Sequence, residues 1–243
     1  MRVSNPFTAT RPGETLRRLV ACRACPRLVV WRERQEGFVP PRFRGWVARQ
    51  GFWGKPVPAF GDAGAWLVIV GLAPAAQGAN RTGRMFTGDR SGNFLYAALH
   101  RAGLASAGRS DAREDGLELA GALITASVRC APPRNRPTAS EAARCRRYLR
   151  ADLARCRSIR VVLTLGRLAH DSVLRVLREQ GVTLPNGIRF AHGGFWRLPG
   201  GVFLVDSYHV SQQNTFTGRL TDAMFDTVLA RCRALADISK EGE

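Results

Sequence analysis

The sequence predicts an α/β fold of three layers, αβα, built on a central, mainly parallel sheet of four strands. Three observations carry this. Over the second half of the chain, short apolar runs of strand length alternate with segments of helical spacing, which gives a parallel sheet covered by helices on both faces. The first run, Trp66-Leu67-Val68-Ile69-Val70, leads into a long glycine-bearing loop over residues 71–89, and open α/β sheets place their sites at the carboxyl ends of their strands. Hydrophobic residues fill 45% of the 243 positions, enough for a compact domain with its own core. We read residues 1–243 as a single domain whose first 60 residues form an irregular segment.

The elements follow in order. Residues 15–34 have the spacing of a short helix around Cys22-Arg23-Ala24-Cys25, and residues 37–60, dominated by Pro, Gly, Arg and Trp, read as a long surface excursion. There Trp46, Phe52 and Trp53 either stack on bases or pin the excursion to the core. The first strand spans 66–71 and a helix spans 91–103. Residues 106–118 are polar and read as a loop insertion. The second strand spans 122–128 and ends at Pro132-Pro133, since proline cannot donate to a ladder. Thr138 with Glu141 three residues on forms a capping box for a helix reaching to about 156. A third strand (159–166), a helix (167–179) and a fourth strand (202–205) follow. The last helix begins near 218 and sets Leu220, Met224, Val228, Cys232 and Leu235 on one face, and residues 239–243 read as a frayed tail.

The charge balance narrows the function. Lys and Arg number 37 against 19 Asp and Glu, a net charge of +18, and Lys55 and Lys240 are the only lysines. A GC-rich genome explains arginine in place of lysine, but not the missing acids. The excess points to a polyanionic partner, nucleic acid first. No apolar run approaches the length of a membrane span, and Met1-Arg2-Val3-Ser4-Asn5-Pro6 shows no signal core, so a soluble, cytoplasmic protein without a membrane partner is expected. The 71–89 loop has no lysine after its glycines and no Gly-x-Gly-x-x-Gly spacing, which excludes a P-loop and a dinucleotide fingerprint.

Six cysteines in a reducing compartment read as metal ligands or buried thiols rather than disulfides. Cys22 and Cys25 have chelating spacing; Cys130 and Cys145 stand apart, one after a strand and one in the next helix. Cys156 and Cys232 sit on apolar helix faces and read as small hydrophobes. From spacing alone, core thiols and a metal site are equally open for the first four, with zinc as one possible metal.

Two long motifs complete the pattern: Gly71-Leu72-Ala73-Pro74-Ala75-Ala76-Gln77-Gly78-Ala79-Asn80-Arg81-Thr82-Gly83-Arg84-Met85-Phe86-Thr87-Gly88-Asp89, and His209-Val210-Ser211-Gln212-Gln213-Asn214-Thr215-Phe216-Thr217-Gly218-Arg219-Leu220-Thr221. With the cysteine layout they resemble the iron–sulfur uracil-DNA glycosylases, specifically the family 5 (type B) branch, from Cys22 to the final helix. The resemblance implies a 4Fe-4S cluster on Cys22, Cys25, Cys130 and Cys145. It implies that Ala73 stands where the related family 4 has an acid. Asn80 then matches the Asp or Asn that precedes Arg-Thr-Gly-Arg, and Phe86 matches the aromatic that stacks on the extruded base. Ala126 stands where family 4 reads the uracil edge with Asn, in keeping with broader base tolerance. Val210 replaces the proline of the usual His-Pro-Ser, and Gln77 replaces a frequent His.

The chemistry expected is hydrolysis of the N-glycosidic bond of uracil and other deaminated bases in double-stranded DNA, by a monomer acting in base excision repair. His209 would donate to the base carbonyl as negative charge develops, and Asn80 could orient the water but not deprotonate it. Asp89 reads either as the nearest acid or as the cap of the following helix. Ser211, Gln212, Gln213 and Asn214 could fill the gap left by the flipped base, or form an ordinary exposed loop. Arg219 with the start of the last helix could hold a phosphate, and Arg81 and Arg84 read either as phosphate contacts or as braces of the loop. His100 and His170 read as surface or capping residues, and His192 has no evident partner. The alternative is a non-catalytic iron–sulfur protein that binds DNA damage, since no strong base is visible in the first motif.

Overall fold

A computed structural model describes residues 6–7 and 12–241. Nine helices are described, α1 (Pro12–Val20), α2 (Pro26–Arg34), α3 (Pro41–Gln50), α4 (Ala79–Thr82), α5 (Arg90–Arg101), α6 (Ala139–Arg155), α7 (Arg167–Glu179), α8 (Gln212–Phe216) and α9 (Asp222–Glu241). The strands are β1 (Phe60–Gly61), β2 (Leu67–Gly71), β3 (Ala122–Ala126), β4 (Val161–Leu165), β5 (Phe195–Arg197) and β6 (Phe203–Ser207).

The sheet has six strands in the order β1-β3-β2-β4-β6-β5. The four expected strands form its parallel centre, and every residue in them is buried, as helices on both faces require. The expected count of four is corrected by β1 and β5, which add antiparallel edges of two and three residues, too short to show an alternating pattern. Along β2, Leu67 and Ile69 face a cluster with Leu95, Leu99, Phe225 and Val228 of α5 and α9. Val68 and Val70 face the other, with Leu149, Leu153, Val173 and Leu177 of α6 and α7. The three layers are thus present.

Other elements shift. The single helix over 15–34 is two helices, broken so that Cys22 and Cys25 lie in the turn between them. The excursion 37–60 contains α3. The predicted last helix starts at Asp222 rather than 218, and 212–216 winds into α8, capped by Ser211 Oγ. The helix capped by Thr138 has the full reciprocal capping box with Glu141. Residues 239–241 continue α9, while 242–243 and the first five residues lie outside the described residues. Among the described residues no helix is long and apolar enough to cross a membrane.

Topology positions the site. From β2 the chain passes through α5 to β3 on one side, whereas from β4 it passes through α7 to β6 on the other. Neighbouring strands whose connections part in this way open a crevice at their carboxyl ends.

Candidate active site

A cavity of about 1530 Å³ occupies that crevice. Its walls include residues 71–75 and 77–79, Phe86 and Asp89 after β2, Ala126 at the end of β3, Arg134 to Arg136, Leu168 at the start of α7, His209 and Ser211 to Gln213 after β6, and one side of α3.

Phe86 and His209 meet here from different strands, their ring centroids 6.4 Å apart and their planes inclined by 37°. Phe86 holds a left-handed backbone (φ 52°), a strain of about 1–3 kcal/mol for a non-glycine residue and a frequent mark of functional loops. The Tyr96 hydroxyl, donating to the Met85 carbonyl at 2.7 Å, helps hold the turn. Gly71 is required beneath it: a Cβ there would lie 2.9 Å from Phe86 Cζ. His209 is lodged against Gly166, whose own φ is 96° and whose added Cβ would stand 3.4 Å from His209 Cβ. Asn214 Nδ2 donates to the His209 carbonyl at 2.8 Å and fixes the backbone of the turn. Burial pushes the imidazole down to about 4, so the ring is neutral at physiological pH. A neutral ring can donate one N–H beside a stacking face, which suits a planar base that gathers negative charge.

The Uracil DNA glycosylase superfamily model matches residues 58–233. The chain is similar to the Type-5 uracil-DNA glycosylase of Thermus thermophilus, 48% identical over 220 residues covering 90% of this chain and 96% of the relative. It is also similar to that of Mycobacterium leprae, 50% identical over 218 residues covering 89% and 92%. That of Pyrobaculum aerophilum is 45% identical over 219 residues, covering 89% and 90%. The chain belongs to the uracil-DNA glycosylase superfamily.

Within this superfamily member, only some of the residues singled out in the sequence reach the cavity. Ala73, Phe86, Ala126, His209, Ser211, Gln212 and Gln213 all line the cavity, as does Arg81. Asn80 is the chief correction. Its side chain is wholly buried and is not part of the cavity wall. Its amide nitrogen donates instead to the Arg32 carbonyl of α2 at 3.1 Å and to the Ala76 carbonyl at 3.4 Å, because the short turn of α4 points it inward. For Arg84 the bracing reading is the one the geometry matches: it is 3% exposed and braces the 110–115 loop, pairing with Asp115 and donating to Ser110 Oγ at 2.7 Å. Arg81 is also a buried brace, its Nε on the Gln77 carbonyl at 2.9 Å and its Nη2 on the Gly88 carbonyl at 3.0 Å. Ser211 and Asn214 are engaged within their own turn, leaving Gln212 and Gln213 as the exposed amides of α8. Arg219 is exposed over the Tyr208 ring at 4.6 Å, outside the cavity wall and three residues before α9 begins.

Asp89 is the cap of α5, accepting from the Gly92 N–H at 2.9 Å, and burial raises its carboxyl above the usual range. It lines the cavity as well, so the two readings are not exclusive. Trp53 pins its loop, donating from Nε1 to the Pro56 carbonyl at 3.2 Å, whereas Trp46 reaches the cavity. His170, expected at the surface, is 1% exposed and pairs with Asp206 at 2.9 Å; the burial of Asp206 on β6 demands a partner. His192 does have a partner: its Nδ1 accepts from the Tyr208 N–H at 3.1 Å and its ring stacks on Tyr208.

Two wall segments went unread. Arg134 and Asn135 are consecutive left-handed residues (φ 54° and 55°) on the cavity wall, marked in sequence only by the flanking prolines. Arg42 and Arg49 of α3 also line it, hidden in a segment with no apolar periodicity.

Cys22, Cys25, Cys130 and Cys145 line one separate cavity, between the α1–α2 turn, the segment after β3 and α6. Arg32 Nη1 donates to Cys130 Sγ at 2.9 Å, the Arg129 N–H to Cys145 Sγ at 3.3 Å, and Arg147 Nη2 to Cys22 Sγ at 3.6 Å. Burial pushes the Cys145 thiol up to about 12. Among the described residues, no three His, Cys, Asp or Glu side chains converge closely enough to hold one metal ion. Cys156 and Cys232 are buried in the core.

Proposed function

We propose that this protein is a monofunctional DNA glycosylase that hydrolyses the N-glycosidic bond of uracil in double-stranded DNA, and of other deaminated bases, in base excision repair. The family and the names of its relatives support uracil excision. The observation that carries the reading is the pairing of a strained aromatic, Phe86, with a neutral histidine, His209, on the wall of a cavity.

A base inside a duplex must be swung out before this pair can reach it, at a cost of a few kcal/mol that is lowest at a mismatch. G·U pairs are therefore the favoured substrate. The base stacks on Phe86, with the short side chains of Ala73 and Ala126 leaving room around its edge. As the glycosidic bond breaks, the electron pair moves onto the base, and His209 donates to the carbonyl where that charge gathers. Such a donor contributes about 3–4 kcal/mol of barrier lowering. Asn80 cannot hold the water from its buried position. Asp89 and Asn135 are polar side chains on the cavity wall that can. Gln212 and Gln213, exposed on the cavity wall, would fill the vacated stack.

The four cavity-lining cysteines are read as ligands of a 4Fe-4S cluster. A single zinc ion draws its ligands to about 2.3 Å from one point, whereas a cluster seats each thiolate on a different iron, which suits four thiols spread around a cavity. Guanidinium and amide donors aimed at three of the sulfurs suit ligands that carry negative charge. The cluster's part is structural: it would fasten the α1–α2 turn to the segment after β3 and to α6. We take the protein to work as a cytoplasmic monomer.

The test is excision from G·U duplexes under single turnover. Abasic product is expected, with His209→Ala slowed by two or more orders of magnitude. Tight binding with no product at high enzyme would leave the damage-binding alternative, and no binding would reject both. Iron and sulfide in equal amounts with visible absorbance are expected in the purified protein; stoichiometric zinc would overturn the cluster.

A further inference from the structure

Helix α3 lies outside the stretch matched by the superfamily model, yet it forms part of the cavity wall. None of its residues is buried, and Gly45 sits at its middle. A ten-residue helix of this kind is not stable alone, so its position must come from outside contacts. One side chain makes two such contacts. The Arg81 guanidinium lies between two α3 rings, 4.1 Å from the Phe43 centroid and 4.3 Å from that of Trp46. Arg81 is at the same time tied to the first motif by its bonds to the Gln77 and Gly88 carbonyls. The Trp53 N–H donates to the Arg81 carbonyl and the Gly54 N–H to the Asn80 carbonyl, both at 3.0 Å, which fastens the chain beyond the helix.

Latched in this way, α3 turns Arg42, Gly45, Trp46 and Arg49, spaced i, i+3, i+4 and i+7, to the cavity together with Phe43. Arg44, on the far side of the helix, does not line it. Arg42 and Arg49 are exposed, and among the described residues neither pairs with a carboxylate. They are about 10 Å apart along the helix axis, far enough for the two guanidinium groups to take different phosphates of one strand. The cavity, at about 1530 Å³, is also larger than the roughly 300–1,000 Å³ usual for a small ligand.

We propose that the Arg42–Arg49 face of α3 is a docking surface for the sugar–phosphate backbone of the duplex beside the flipped nucleotide, each guanidinium taking one phosphate. Because the helix hangs on Arg81, its grip on the backbone sets the duplex against the loop that carries Phe86. The inference rests on the DNA-glycosylase reading.

The test is equilibrium binding of the full-length protein to a fluorescent G·U duplex carrying 2′-fluorodeoxyuridine, which resists cleavage, over a series of salt concentrations. Replacing Arg42 and Arg49 together by Ala should make the plot of log Kd against log salt shallower by about 1.8, two contacts at about 0.9 each. It should weaken a duplex without uracil by the same factor, because backbone contacts carry no sequence information. The double Lys variant should recover most of the slope, and Arg44→Ala should keep all of it. An unchanged slope in the double Ala variant, or an equal loss in Arg44→Ala, would overturn the surface while leaving the glycosylase reading intact. A parent protein that binds no duplex would overturn both.

Discussion

At position 209 the fold keeps a histidine uncharged. Its ring takes a proton only near pH 4 when folded, against about 6.5 in an unfolded chain. Between those values the unfolded state holds more protons, so this group's contribution to stability is complete above about pH 6.5. It falls as the pH drops towards 4, by up to about 1.4 kcal/mol per unit. Denaturation midpoints measured from pH 7 to 4 should therefore decline less steeply in His209→Gln than in the parent. Gly166→Ala acts on the same ring from behind. Its left-handed backbone makes any side chain cost about 1–3 kcal/mol, and the new methyl would press on His209 Cβ. Excision at saturating enzyme should slow while circular dichroism still reports a folded protein. His209 and Phe86 were legible because motif and chemistry coincide at those positions. Asn80 was not, since nothing in the order of residues tells that α4 turns its amide towards α2.

Among the elements, the buried ones were readable and the others were not. β2, β3, β4 and β6 announce themselves as unbroken apolar runs because helices cover both their faces. β5 has three residues, none of them buried, and β1 has two, so neither is long enough to leave a pattern to detect. α3 and α8 have no buried residue, and their order comes from Arg81 in one case and the Ser211 cap in the other. A buried charge pair adds to the apolar contact between β3 and α6. Arg129, 1% exposed and pushed down to about 10 by burial, pairs with Asp152, which also accepts from Thr125 Oγ1 at 2.7 Å. Arg129→Leu would leave that carboxylate buried without its cation. A loss of about 3–5 kcal/mol is expected in chemical denaturation, partly recovered by adding Asp152→Asn.

For the whole molecule, the surplus of cations has a direction. Exposed Arg42, Arg49, Arg90, Arg109, Arg134 and Arg136 ring the cavity, against Asp89, which caps a helix, and Asp111, which is paired with Arg109 at 2.7 Å. DNA affinity should consequently fall steeply with ionic strength, by tenfold or more between about 50 and 200 mM salt, as a titration of parent protein against any duplex will show. Composition disclosed the sign of this field; only the fold discloses where it is concentrated.

The crevice draws its walls from loops that follow β2, β3, β4 and β6, strands separated by more than 130 positions along the chain. A ribosome making this protein has emitted Phe86 long before His209 exists, and β6, which carries His209 into place, pairs only with strands already laid down. Catalysis therefore has no early instalment. A transcript cut short between Phe86 and β6 yields a polypeptide with a ring to stack on and nothing to receive the departing charge.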